Sequence, residues 1–133
     1  IPHRIHDGYG LNEHLIEEAK REGVGMIVTC DNGIAAAPQI ALANSLGMRV
    51  IVTDHHEVPY IEENGERKEQ LPPALAVVDP KRADDTYPFS GICGGVVALK
   101  LIQAITEKTC KYSGGVTGIC STVYRMRCYG VKR

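Results

Sequence analysis

The sequence has no apolar run of about 18 residues, the length a membrane-crossing helix needs, and no charged-then-apolar leader of the secretory kind. Neither a membrane partner nor export is expected. An excess of one charge is also missing: 15 Lys plus Arg stand against 16 Asp plus Glu, for a net charge of -1. Attraction to a polyanion must therefore be local. The five cysteines, Cys30, Cys93, Cys110, Cys120 and Cys128, are odd in number and form no CxxC pair. That argues against a zinc ribbon and against a secreted disulfide framework. Reduced thiols in a cytoplasmic protein are expected, with Cys30 and Cys93 packing as small hydrophobes inside apolar stretches. The first residue is Ile1 rather than Met, which points to a chain cut from something longer.

What is present suits one α/β domain, with 44% hydrophobic and 23% charged residues over 133 positions. Residues 13–22 place Leu15, Ile16 and Ala19 on one side of a helix, capped by Asn12 and ended by Gly23. Met26 to Thr29 is a short apolar run, expected as a strand covered on both faces, that delivers Cys30-Asp31-Asn32-Gly33 at its carboxyl end. Pro38 opens a second helix to about Leu46, Gly47 closes it, and Val50-Ile51-Val52 repeats the buried-strand pattern before Asp54-His55-His56. Parallel strands joined by a helix carry their carboxyl ends on one edge, so Asp31 and the Asp54-His55-His56 group can converge there. Within the polar stretch 59–70, which is expected as a loop without chemistry, Glu62-Glu63-Asn64-Gly65-Glu66 reads as a solvated turn or loop. Ala74 to Val78 is a third strand, ending in Asp79-Pro80-Lys81-Arg82, and residues 91–95 lead into an apolar helix from about Val96 to Ile105.

A carboxylate and two imidazoles at a sheet edge suit a divalent ion such as Mn²⁺ or Mg²⁺, since zinc usually recruits a thiolate or a third imidazole. Asp54-His55-His56 alone is equally compatible with a capped turn and surface histidines. Asp31 on the neighbouring strand adds the second carboxylate, and Asn32-Gly33 permits the turn that aims it inward.

The blocks Pro2-His3-Arg4 with Asp7-Gly8-Tyr9-Gly10-Leu11-Asn12, Val28 to Ile34, and Val52-Thr53-Asp54-His55-His56-Glu57 resemble successive blocks of the RecJ-type exonucleases of the DHH phosphoesterase family. Leu71 to Ala74, Val77-Val78-Asp79-Pro80 and Gly91 to Val96 continue the resemblance, which spans residues 1–107. It implies an open, mostly parallel α/β sheet flanked by helices, incomplete at both ends. It also implies a two-metal phosphodiesterase that removes nucleotides from the 5′ end of single-stranded DNA, with other DNA-repair proteins as partners. By the same resemblance Asp31 bridges two metals and His55 binds one. His56 lies against the phosphate or supports the site from behind, and Asp54 orients its neighbours. Arg4 is a candidate phosphate contact through its planar fork, although an exposed structural arginine fits as well. Tyr9 either stacks on a base or packs on the sheet. Gly94 and Gly95 either offer helix-end amides to a phosphate or let helix and strand approach closely, with close packing preferred.

The family's earlier and later aspartate blocks are not found, and the tail 108–133 has six basic residues and no acidic one. The isolated chain is therefore expected to bind metal weakly and catalyse poorly. A DHH phosphoesterase for short oligonucleotides, cyclic dinucleotides or pyrophosphate is one alternative, though such enzymes lack the Gly8-Tyr9-Gly10-Leu11 block. A non-catalytic truncated module is the other.

Overall fold

The computed structural model of the chain describes residues 10–106, so Arg4, Tyr9 and the tail 108–133 lie outside the described residues. Two helix-to-strand steps follow each other with the same local chemistry. Helix α1 (Glu13–Arg21) is opened by Asn12, whose side-chain oxygen accepts from the Leu15 N–H at 2.9 Å. This satisfies one of the amides that a helix start leaves without a partner. The helix closes in a Schellman motif, with the Gly23 N–H donating to the Lys20 carbonyl and the Val24 N–H to the Ala19 carbonyl. Strand β1 (Met26–Val28) follows directly. Helix α2 (Ala37–Ser45) ends likewise, with Gly47 N–H on Asn44 and Met48 N–H on Ala43, and feeds β2 (Arg49–Thr53). Gly23 and Gly47 both take φ 78°, a conformation a side chain would strain, and so mark where the chain leaves the helix for the sheet.

Strands β1, β2 and, after a hairpin described below, β5 (Ala76–Val78) form a parallel sheet in the order β1-β2-β5. Ile27 pairs with Val50 and Val52 with Val77, so alternation puts these side chains on one face. Helices α1 and α2 meet that face, and Ile16, Ile40, Ala43, Met48, Val50 and Val52 form the buried cluster between them. Each such aliphatic side chain contributes roughly 1.5–3 kcal/mol when fully buried. Helix α3 (Gly94–Thr106) packs against β2, and its Val97 is buried outside that cluster. The α/β fold with a parallel sheet flanked by helices is as the sequence implies.

Three expectations are corrected. Strand β1 is not covered on both faces: it is the edge strand of the described sheet, and its Met26 and Val28 are 39% and 48% exposed. The stretch 59–70 is a β-hairpin, β3 (Tyr60–Glu63) and β4 (Glu66–Glu69), not a loop. Its side chains point almost entirely to solvent, so no apolar alternation announces it. The signal lay in Asn64 and Gly65, whose φ values of 55° and 81° make the two-residue turn that matches strand twist. Finally, Cys30 and Cys93 are both exposed and do not pack as core hydrophobes: Cys30 lies in the loop beyond β1, and Cys93 in the loop just before α3.

Candidate metal centre

The three parallel strands bring three aspartates to one edge. Hydrogen bonding continues past the regular strands: Asp31 N–H donates to the Thr53 carbonyl and Asp54 N–H to the Val78 carbonyl, both at 3.0 Å. Two threonines tie β1 to β2 just beneath. The Thr53 hydroxyl donates to the Thr29 carbonyl at 2.6 Å, and the Thr53 N–H donates to the Thr29 hydroxyl at 3.2 Å. Both threonines are buried, so neither bond competes with bulk water.

Asp54 is the hub. It is 1% exposed, and both of its oxygens are used. Oδ2 accepts from the Ile34 N–H at 3.0 Å. Oδ1 accepts from the His55 N–H at 2.8 Å and the His56 N–H at 3.3 Å, and it meets His56 Nδ1 at 2.6 Å. Burial alone would raise this carboxyl. The Ile34 N–H, the His56 ring and the His55 and His56 N–H groups outweigh it and hold the carboxyl below its ordinary range. Asp54 thus remains an anion that clamps the loop after β1 to the loop after β2.

Asp31 stands at φ 63°, the left-handed region that aspartate tolerates better than most residues. Its Oδ1 lies 2.8 Å from His55 Nε2. Behind it, Gly94 at the start of α3 comes so close that a Cβ there would overlap the Asp31 carboxylate. The close approach at Gly94 is to the Asp31 carboxylate rather than to a strand, and Gly95 faces only Cys93 Sγ, at 4.0 Å.

His56 is the exposed member, with 60% of its side chain accessible. Its hydrogen bond and charge contact with Asp54 raise its pKa above the ordinary value, with Asp31 and Asp79 adding smaller pulls against slight desolvation. Asp31, His55 and His56 each offer one ligand atom, and these atoms all lie within 4.8 Å of one another. His56 and Asp54 also border a cleft of about 330 Å³ that extends over Asn32, Gln39 and the start of α2. The Ala36 side chain supplies no hydrogen bond to cap that helix start.

The sequence reading passed over Asp79. It is wholly buried at the end of β5, where Oδ1 accepts from the Lys81 N–H at 2.9 Å and Oδ2 has no partner. Burial pushes its carboxyl up to about 6 against the Lys81 N–H, with the Asp54 charge adding and the charges of Lys81 and His55 opposing. The signal was available: Asp79 follows its strand as Asp54 follows its own.

The family model described as the DHH family, N-terminal domain, matches residues 1–124. The single-stranded-DNA-specific exonuclease RecJ of Bacillus subtilis (strain 168) is 41% identical over 105 residues, 79% of this chain and 12% of that protein. The protein of the same description from Escherichia coli (strain K12) is 38% identical over 105 residues, again 79% of this chain but 17% of its own length. Among solved structures, a crystal structure of exonuclease RecJ bound to manganese matches 80% of this chain and 25% of that one. The TM-score is 0.53 at 28% identity. The chain thus spans 12 to 17% of the length of these curated relatives.

Proposed function

The chain belongs to the DHH family, N-terminal domain, and from that premise we propose that it forms part of the catalytic domain of a metal-dependent, 5′-to-3′ single-stranded-DNA exonuclease of RecJ type. The observation that carries the proposal is the pairing of Asp31 with His55 Nε2 at 2.8 Å beside a His56 held by buried Asp54.

The donor set fits a divalent ion. The Asp31 carboxylate and the His55 imidazole, 2.8 Å apart, are the mixture of oxygen and nitrogen that Mn²⁺ accepts, with His56 beside them, and Mg²⁺ is the alternative. Asp31 and His55 would hold the metal, with Asp31 shared between both ions of a two-metal site. When bound, a metal there would polarise a phosphoryl oxygen and lower the pKa of a water. The chain's own groups do the rest. Asp54 fixes the direction of the His56 ring and favours its protonated form, so that the ring could donate to a phosphate oxygen. The adjoining cleft, with its uncapped helix start, offers backbone amides to the same anion. Arg4, Tyr9 and Gly95 belong to the proposal as contacts to the DNA strand. A cytoplasmic location and association with other DNA-repair proteins go with it; no described helix is long and apolar enough to cross a membrane.

The test is nucleotide release from 5′-labelled single-stranded DNA by the full-length protein with Mn²⁺. Asp31→Asn and His55→Ala are each expected to lower the rate at least about a hundredfold. Unchanged rates in both variants would place the chemistry elsewhere.

A further inference from the structure

Asp79 does more than close a turn. The bond from the Lys81 N–H uses only Oδ1, and Oδ2 is sealed from solvent without a partner. A buried carboxylate oxygen left unpaired is costly, so its persistence asks what it is reserved for. Thr53 and Val78 are paired in register, and Asp54 and Asp79 are the next residues on each strand, so Asp79 leaves the sheet beside Asp54, the residue before His55, with no hydrogen bond to His55 in this metal-free structure. The charges of Asp54, Lys81 and His55 all act on it.

His55 has a complementary vacancy. Its Nε2 meets Asp31, its backbone N–H meets Asp54, and Nδ1 has no partner among the described residues. A neutral imidazole that gives Nε2 to a cation must carry its proton on Nδ1, and that N–H then needs an acceptor. Histidine ligands are commonly oriented by a carboxylate in this way. We propose that Asp79 is a positioning residue of the metal centre, its free Oδ2 serving as the acceptor for the His55 Nδ1–H when Nε2 binds a divalent cation. The inference rests on the reading of Asp31 and His55 as the cation site.

The choice of variant separates this role from a structural one. Asn at position 79 keeps an oxygen for the Lys81 N–H, so a turn-closing role predicts wild-type behaviour. Asn also presents an amide donor where the proposal needs an acceptor, and so favours the imidazole tautomer that cannot ligate through Nε2. Mn²⁺ binding to the full chain is titrated by calorimetry for the wild type, Asp79→Asn, Asp79→Ala and His55→Ala. Expected is a loss of about tenfold or more in affinity for Asp79→Asn, at least as large as for Asp79→Ala, while both remain folded. Wild-type affinity in Asp79→Asn together with lost binding in His55→Ala overturns the role of Asp79 alone. Wild-type affinity in His55→Ala overturns the cation-site reading itself, and this inference with it. A second measurement needs no variant: ¹⁵N spectra of the histidine rings in the Mg²⁺-loaded wild type. A His55 Nδ1–H that exchanges slowly with water supports the proposal, and an unprotonated or freely exchanging Nδ1 overturns it.

Discussion

Gly94 rests against the side chain of Asp31 so closely that the first atom of any side chain at position 94 would occupy the space of the carboxylate. The start of α3 therefore sets where Asp31 can point. Gly94→Ala is expected to push Asp31 away from His55 and weaken Mn²⁺ binding about tenfold or more. Gly95→Ala is the control, because its added methyl meets only Cys93 Sγ at 4.0 Å. It should leave affinity unchanged and stabilise the helix by at most about 1 kcal/mol. Calorimetric titration of both variants checks the contrast.

Removing Asp54 leaves the Ile34, His55 and His56 N–H groups without their shared acceptor. Asp54→Ala should lose about 3 kcal/mol or more in urea unfolding, the scale of breaking a buried charged network. The carboxyl's folded pKa lies below its ordinary value of 3.8. Its contribution is therefore complete above that value and is lost as pH falls through the folded pKa. Acid unfolding of the wild type should show this loss, and the Asp54→Ala chain should lack it.

Asp79 carries the opposite sign. Its folded carboxyl titrates at about 6 against an ordinary 3.8, so the metal-free folded state holds the proton more tightly than the unfolded chain does. The cost of its charge is absent below 3.8 and fully present above about 6. Asp79→Asn should then be more stable than the wild type at pH 8, by about 1–3 kcal/mol, with the advantage vanishing toward pH 4. Urea midpoints measured across that interval give the comparison. A variant more stable yet weaker in Mn²⁺ binding would separate the two roles of this residue.

His56 should titrate above the ordinary histidine value of 6.5, chiefly through its hydrogen bond to Asp54. Ring resonances followed by NMR in metal-free protein are expected to show the raised midpoint. Asp54→Asn should return it toward 6.5, because both leading causes of the shift are then gone.

The elements that build the edge were legible in the sequence because their signals are local and redundant. Asn12 and the glycines at 23 and 47 bracket α1 and α2, and the runs at β1 and β2 are short and apolar. Parallel topology then forces Asp31 and Asp54 to the same edge. Much less legible was anything decided by what lies beside an element. The hairpin has exposed side chains on both faces and is held by pairs such as Tyr60 with Arg67, 4.5 Å from ring centroid to guanidinium. The exposure of Met26 and Val28 depends on which neighbours the edge strand has. Asp79 was visible as a residue type after a strand but not as a buried group, since its burial is set by what packs around it and not by its place in the sequence.

The left-handed backbone at Asp31 also has a consequence for how the chain could drift under selection. A residue with φ of 63° is held where glycine would sit at lower cost. Random substitution screened for thermal endurance alone would favour Asp31→Gly and, at the buried corner, a neutral residue in place of Asp79. Both changes relax the apo chain and both remove chemistry from its edge. A lineage released from its catalytic duty should therefore become hardier as it falls silent, and the first letters it loses should be these two.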